Sequence, residues 1–232
     1  MNKKDLYNKQ LARLEEESIL SQKDKKLKTH IENSRQKYNS TQKGIIEELH
    51  QLGYSIQYVG ELSTTGKKYI DAIPILTKWL PIVTYKPLKH DILSLLSVSW
   101  AKSAFNVLIQ EFKSTTDEYD KRYRWAVGNA LASMASKNHY LELASIVRDR
   151  SAGHTRQMVI EALAKTKHPD AADVLLESLQ NDDEVGHTLL ALRRLKARVP
   201  REIIEPYLGH EFPWVRKEAK KLLELQDKLY KD

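Results

Sequence analysis

Five similar stretches of the chain share one position that holds a cationic side chain in four of them. This ladder of cations consists of Lys89, Arg124, Arg156, Gly186 and Arg216, in which the glycine is a gap. Arginine offers a planar fork of donors to carboxylates and phosphates, so the ladder could form a basic stripe for an anionic partner. The alternative is an internal, structural role for the same cations. The sequence leaves both interpretations open.

A second row of residues follows directly after the ladder. It holds His90, Trp125, Gln157, His187 and Lys217, and one turn further along the same face come Ser94, Asn129, Glu161, Ala191 and Lys221. Helical periodicity does not place either row in the core. Trp125 is the most informative member, because an indole on a polar row beside Arg124 and Asn129 is typical of a binding hot spot. The alternative is that Trp125 packs against an adjacent repeat or the N-terminal segment.

These rows supply the candidate partner-binding residues. They are His90, Arg124, Trp125, Asn129, Arg156, Gln157, His187, Lys217 and Lys221. We expect no catalytic residue, metal site or cofactor. The chain has no cysteine, and its 8 histidines are scattered without the spacing of a zinc site. It also has no phosphate-binding loop and no nucleophile elbow, so we expect a protein that is not an enzyme.

The net charge of +7 is unevenly distributed. Residues 1–43 hold 11 Lys/Arg against 6 Asp/Glu, and residues 213–232 hold 6 against 4. Residues 44–212 hold 21 of each. A balanced centre argues against a long phosphate track, because affinity for duplex DNA scales with the number of cations it meets. We therefore favour a protein or peptide partner and keep nucleic acid as the second choice.

The elements that position these rows are predicted from apolar spacing as five helix pairs. Their predicted bounds are Tyr69–Leu80 with Pro87–Leu96, Ala104–Phe112 with Tyr119–Met134, His139–Val147 with His154–Lys165, Pro169–Leu179 with Val185–Leu195, and Pro200–Leu208 with Trp214–Leu229. The first inward positions of the second helices are Leu88, Tyr123, Thr155, Val185 and Val215. A spacing of about 30 to 35 residues is typical of a solenoid, in which each pair buries its face on its neighbours.

Two of these pairs resemble the HEAT repeat family. The resemblance is carried by residues 202–208 with 214–219 and by residues 169–185, and Pro74 and Pro206 fall inside first helices, as that family often has them. It covers about residues 69–232 and implies an armadillo-like, right-handed α-α superhelix that serves as a protein-binding scaffold, similar to small bacterial HEAT-repeat proteins. In that family the arginine of the ladder commonly pairs with an acidic residue of a neighbouring turn, for which Asp120, Asp149, Asp182 and Asp183 are available.

A resemblance to HEAT-like DNA glycosylases is the less favoured alternative. In those enzymes aromatic residues and an acidic residue on the concave face carry the chemistry. Trp125 would fit the aromatic role, but one turn later this chain has Asn129, which is not a carboxylate. This departure argues against base excision.

The N-terminal segment is predicted to be a helical hairpin over residues 1–53. Its first helix spans residues 1–20, Ser21 is a candidate N-cap, and a stripe from Leu27 to Leu52 ends at Gly53. The hairpin could cover the first repeat, or it could project as a basic or dimerising arm. Residues 54–68 are predicted to be an irregular loop, with one degenerate helix around Ile56–Leu62 as the alternative, and residues 69–232 hold the repeats.

The remaining signals concern location and assembly. The N-terminus lacks the apolar core of a signal peptide, and no apolar run approaches the roughly 20 residues that span a bilayer. The stretch 72–83 is interrupted by Pro74, Lys78 and Pro81. We therefore expect a cytoplasmic protein without a membrane partner, either a monomer or a weak dimer.

Overall fold

Every regular element in the described part of the chain is a helix. The computed structural model describes residues 3–115, 121–180 and 184–230, with the backbone alone for residues 3–23. The α-helices are α1 (Lys3–Gln51), α2 (Ile73–Trp79), α3 (Lys86–Leu96), α4 (Phe105–Ser114), α5 (Lys121–Met134), α6 (Tyr140–Arg148), α7 (Gln157–Lys165), α8 (Ala171–Leu179), α9 (Val185–Leu195), α10 (Arg201–Ile204) and α11 (Pro213–Leu229). Short 3-10 helices occupy Val59–Thr64, Ile70–Ala72, Lys102–Ala104, Lys137–His139, Arg150–Arg156 and Glu205–Gly209. The predicted all-α fold is confirmed.

After α1, the described helices stack as successive pairs. The pairs are α2 with α3, α4 with α5, α6 with α7, α8 with α9, and α10 and its 3-10 extension with α11. The second helices α3, α5, α7, α9 and α11 pack against one another in chain order. The five predicted inward positions, Leu88, Tyr123, Thr155, Val185 and Val215, are all buried. Burial of one face of each second helix on its neighbours therefore holds the pairs together, as in a solenoid.

The two prolines of the first helices occupy different places from those expected. Pro74 lies in the first turn of α2, where its missing N–H has no intrahelical acceptor to lose, so it begins the helix and does not bend it. Pro206 lies at the start of the 3-10 helix Glu205–Gly209. The predicted helix over residues 200–208 therefore changes from α to 3-10 geometry at Glu205, directly before Pro206, because proline cannot donate the next α-helical hydrogen bond.

The N-terminal segment is one continuous helix where we expected a hairpin. Helix α1 runs for 49 residues, from Lys3 to Gln51, and Ser21 lies within it. The weak helix formers near residue 40 do not interrupt it. The hydroxyls of Ser40 and Thr41 donate to the Lys37 carbonyl at 3.0 and 2.7 Å, so they follow the helix and do not open it.

Among the described side chains of α1, those in its C-terminal part pack on the first pair. Ile45 and Leu49 are fully buried, whereas Leu27 and Ile31 are 58% and 56% exposed. The amide of Gln42 joins the following segment, donating to the Gln57 carbonyl at 3.0 Å and accepting from the Val59 N–H at 3.1 Å. Residues 54–68, predicted to be an irregular loop or one degenerate helix, hold the 3-10 helix Val59–Thr64, in which Val59 and Leu62 are buried.

Close packing explains the gap in the ladder of cations. Gly186, at the start of α9, faces the six-membered ring of Trp214 at the start of α11, and a Cβ atom at Gly186 would overlap that ring. The Trp214 ring also meets the His187 ring edge-on at 5.2 Å between centroids. Trp214 is thus a packing residue at a helix start, and it leaves room for nothing larger than glycine at position 186.

We predict that Gly186→Ala lowers the free energy of unfolding by about 1–3 kcal/mol, because the added methyl group overpacks a filled contact. At an open position inside a helix, replacing glycine by alanine instead raises stability by about 1 kcal/mol. Urea unfolding followed by circular dichroism measures the change.

Gly209→Ala is the matched control, since no atom lies within 4 Å of the Cβ position there. We expect it to change stability by less than about 0.5 kcal/mol. In a Trp214→Ala background, Gly186→Ala should no longer destabilise the protein. An unchanged penalty in that background would contradict the packing explanation.

Candidate functional site

The arginines of the ladder donate to backbone carbonyls inside the protein. Arg124 Nε donates to the Phe112 carbonyl at 2.9 Å, and its guanidinium lies 4.6 Å from the centre of the Phe112 ring. Arg156 Nη1 donates to the Val147 carbonyl at 2.6 Å. Phe112 and Val147 lie in the last turns of α4 and α6, where helix carbonyls have no intrahelical donor. Each arginine therefore caps the first helix of its own pair.

Arg216 repeats this contact in the last pair, and Lys89 replaces it in the first. Arg216 Nη1 donates to the carbonyls of His210 and Glu211 at 2.6 and 2.9 Å, directly after the 3-10 extension of α10. Lys89 instead pairs with buried Glu111 at 2.9 Å, and Glu111 also accepts from the Tyr123 hydroxyl at 3.0 Å. The first pair is thereby tied to the second through a satisfied carboxylate.

These contacts show that backbone carbonyls also accept from the arginines of the ladder. Of the four aspartates expected to pair with them, Asp149 lies near enough to act on Arg124. Burial lowers the pKa of the Arg124 guanidinium, and the Asp149 carboxylate partly opposes that shift. Arg156 is only 3% exposed, so it lies inside the protein and not on the partner-binding surface that we expected. Asp120, Asp182 and Asp183 lie outside the described residues.

The row beside the ladder links neighbouring repeats. Trp125 Nε1 donates to Gln157 Oε1 at 3.3 Å, which joins α5 to α7. The His90 ring meets the Tyr123 ring edge-on at 5.1 Å between centroids, which joins α3 to α5. The row therefore belongs partly to the contact between repeats and partly to the surface, where Trp125 is 39% exposed.

In the last three pairs, two glutamates form ion pairs and hydrogen bonds with cationic side chains. Glu161 accepts from His187 Nδ1 at 2.9 Å and from Arg194, which joins α7 to α9. Glu218 pairs with Arg193 at 2.8 Å and with Lys221 at 2.9 Å, which joins α9 to α11. His187 and Lys221 are thus engaged by Glu161 and Glu218, whereas Asn129 and Lys217 are exposed on the surface.

The Trp125 cleft is a depression of about 900 Å³ between the start of α5 and the segment before α7. Its lining consists of Thr115, Lys121, Arg122, Arg124, Trp125, Ala126, Ser151, Ala152, Gly153, His154, Thr155 and Gln157. Three predicted site residues, Arg124, Trp125 and Gln157, come together here. The other six do not line the cleft, and His90 lines a neighbouring cleft of about 370 Å³ that shares Thr115 with it.

A strained turn shapes the far wall of the Trp125 cleft. Gly153 has φ +51° and ψ −142°, a conformation open to glycine and costly for residues with a Cβ. Before it, the Asp149 carboxylate accepts from the Ser151 N–H at 3.1 Å, and after it His154 pairs with buried Glu184 of the next repeat. The turn is therefore fixed at both ends, so the wall opposite Trp125 is held in place by side chains of two repeats.

The cleft combines an aromatic face with positive charge. Lys121 and Arg122 precede Trp125 by four and three residues on α5, which places them on the same side of the helix. We did not single out these two cations in the sequence, although their helical spacing from Trp125 could have identified them. Within the described residues, no group of three or more His, Cys, Asp or Glu side chains could hold a metal ion. The arrangement is suited to binding an acidic or acceptor-rich group beside an apolar one.

We predict that Arg156→Ala lowers the free energy of unfolding by about 2–4 kcal/mol, because it leaves the Val147 carbonyl unpaired and a buried side-chain volume empty. Arg156→Lys should restore part of the loss, since an ammonium can still donate. Lys217→Ala, at an exposed position of the adjacent row, should change stability by less than about 0.5 kcal/mol. Equal urea midpoints for Arg156→Ala and Lys217→Ala would refute the capping role.

We predict a loss of stability at acid pH that depends on Glu161. The hydrogen bond from His187, followed by the charge of Arg194, holds the pKa of Glu161 below its ordinary value of 4.5. Because the folded pKa is the lower one, this carboxylate stabilises the fold above pH 4.5, and the contribution disappears as pH falls through the folded pKa. The urea midpoint, measured from pH 6 to pH 3, should fall less in Glu161→Gln than in the wild type. Glu202→Gln, an exposed control, should keep the wild-type slope; an unchanged slope in Glu161→Gln would contradict the assignment.

Comparison with known proteins places the central repeats in a family. Residues 106–193 match the family model described as HEAT repeats. No curated protein and no solved structure matched the chain. Among the residues that the structure describes, no helix has the length and apolar character needed to cross a bilayer. Residues 106–193, which extend from α4 to α9, therefore belong to the HEAT repeat family.

Proposed function

We propose that this protein is a non-catalytic binding scaffold that holds an acidic segment of a protein partner in the Trp125 cleft. HEAT repeats typically serve as protein-interaction scaffolds, because stacked helix pairs present an extended surface with little change in the fold. The proposal adds a location and a chemistry to that general role.

The observation that carries the proposal is the exposed indole of Trp125 in a cleft lined by cations. The cleft volume of about 900 Å³ is within the range of about 300–1,000 Å³ that is usual for ligand sites. Gln157 fixes the indole by its hydrogen bond, so little side-chain freedom is lost when a partner covers the ring. Lys121 and Arg122 lie beside the ring and attract carboxylates.

The internal use of the ladder favours a polypeptide over nucleic acid. Arg124, Arg156 and Arg216 donate to carbonyls, and Lys89 pairs with Glu111. These cations therefore do not form a continuous exposed track along the second helices. Affinity for duplex DNA depends on neutralising several phosphates in a row, whereas an acidic peptide needs only a local cluster of cations.

Other predicted residues extend the proposed surface. His90 lines the neighbouring cleft and shares the Thr115 border with the Trp125 cleft, so a partner segment could continue from α5 towards α3. Asn129 is exposed one turn beyond Trp125 on α5, and Lys217 is exposed on α11. In this proposal the Trp125 cleft provides most of the affinity, His90 and Asn129 provide contacts at its margin, and Lys217 could contact a more distant part of the partner.

We predict that peptides selected on this protein from a random displayed library carry a carboxylate next to an apolar residue. Their affinity, measured by fluorescence anisotropy, should fall by about 30-fold or more in Trp125→Ala, as expected of a hot spot. Arg122→Ala should weaken the same peptides less and should reduce their dependence on salt concentration.

Leu141→Ala is the matched control, because Leu141 is exposed but lies on α6, away from the cleft. It should leave peptide affinity within about 2-fold of the wild type. Equal binding by the wild type and Trp125→Ala would exclude the cleft as the site. Duplex DNA binding with a steep salt dependence that Arg122→Ala reduces would favour nucleic acid instead.

A further inference from the structure

A second cleft lies at the N-terminal end of the repeats, where α1 meets the first helix pair. It has a volume of about 590 Å³, and its walls include Tyr38 of α1, Tyr58 of the connecting segment and Tyr85 at the start of α3. We refer to it as the tyrosine cleft. It shares no lining residue with the Trp125 cleft, so nothing about its binding depends on the function proposed above.

The three rings form walls at an angle to one another. The Tyr38 ring centre lies 6.2 Å from that of Tyr58 and 6.3 Å from that of Tyr85, with interplanar angles of 58° and 77°. The Tyr38 hydroxyl donates to Asp91 at 2.5 Å, and the Tyr85 hydroxyl donates to the Ser34 carbonyl at 3.4 Å. These bonds hold two of the rings in place before any ligand arrives, which lowers the entropic cost of binding.

The charges around the tyrosine cleft favour a cation. Asp91 and Glu61 line it together with Arg35, and the Arg35 guanidinium is already paired with Glu32 at 3.0 Å. The Lys37 ammonium, which does not line the cleft, lies 5.1 Å from the centre of the Tyr85 ring. That contact shows within this protein that a ring of the cluster can accept an ammonium group.

We propose that the tyrosine cleft binds an alkylammonium group. The faces of aromatic rings carry negative electrostatic potential and attract cations within about 6 Å, and quaternary ammonium groups are well suited because they are weakly hydrated. The Asp91 and Glu61 carboxylates add charge complementarity at the wall. The group could belong to a free small molecule or to a methylated lysine of a polypeptide, and the two sources share this chemistry.

The test compares choline with 3,3-dimethylbutan-1-ol, which has the same shape but no charge. Binding is measured by chemical-shift titration of the full chain. We expect choline to bind at least about 10-fold more tightly than the neutral alcohol. Equal affinities, or no binding of choline and of the peptide described below, would overturn the proposal.

Variants at Tyr58 test the role of the rings without disturbing the fold, because Tyr58 is exposed. Tyr58→Leu should weaken choline binding by about 3- to 30-fold, whereas Tyr58→Phe, which keeps the ring, should stay within about 2-fold. Glu61→Gln should weaken binding by about 2- to 5-fold, and Glu202→Gln, which removes an equal charge from α10, should not change it. Unchanged affinity in Tyr58→Leu, with an unchanged melting temperature, would exclude the cleft.

A short peptide that contains trimethyllysine distinguishes the source of the ligand. Tighter binding of this peptide than of choline, with the same loss in Tyr58→Leu, would support a methylated lysine of a polypeptide. Equal affinity for both probes would support a free small ammonium compound. Binding of the peptide that Tyr58→Leu leaves unchanged would contradict the proposed site.

Discussion

Each second helix buries its apolar face on the second helix of the next pair, and this stacking holds the repeats together. A helix pair of this size cannot bury its apolar face alone, so α3, α5, α7, α9 and α11 supply one another with a core. Close approach then limits residue size along the seam. Gly128 has the Thr155 carbonyl 3.3 Å from its Cβ position, and Gly186 has the Trp214 ring there. The ladder lies on this seam, and its gap at Gly186 is therefore a consequence of packing.

The same stacking determines how the cations are used. Each first helix ends beside the start of its own second helix, and the carbonyls of its last turn have no intrahelical donor. Arg124 and Arg156 satisfy those carbonyls with charge-assisted hydrogen bonds, and Arg216 does the same for the two carbonyls directly after the 3-10 extension of α10. A periodic row of arginines can thus arise from a repeated structural need. The composition of such a row says little about the partner, and the charge that remains available at local clefts says more.

Much of the fold was predictable, because the helix pairs have a regular spacing of apolar residues in the sequence. All five inward positions were read from the sequence and are buried. The single helix α1 was not predicted, because Ser21 was interpreted as the N-cap of a second helix, whereas a serine can also lie inside a helix. The direction of the arginine side chains was equally undetermined, since a carbonyl acceptor leaves no trace in residue identity.

Part of the candidate site was also predictable from helical spacing. Trp125 stood out because an indole on a polar helical row is unusual, and its partner Gln157 lay on the same row. The opposite wall depends on the turn at Gly153, whose backbone conformation cannot be read from one isolated glycine. The tyrosine cleft depends on contacts between Tyr38, Tyr58 and Tyr85, which come from three separate segments. No local spacing connects them.

The position of the tyrosine cleft follows from the need to cover the first pair. A terminal repeat of a solenoid has no neighbour on one side, and a cap must bury that face. Here Ile45 and Leu49 of α1 provide the apolar cover, and the buried amide of Gln42 fixes the connecting segment against it. Ser34, Tyr38 and Asn39 of α1 line an open cleft beside the start of α3. The cap that completes the core therefore also creates the aromatic, acidic walls of the tyrosine cleft, which share no lining residue with the cationic walls around Trp125.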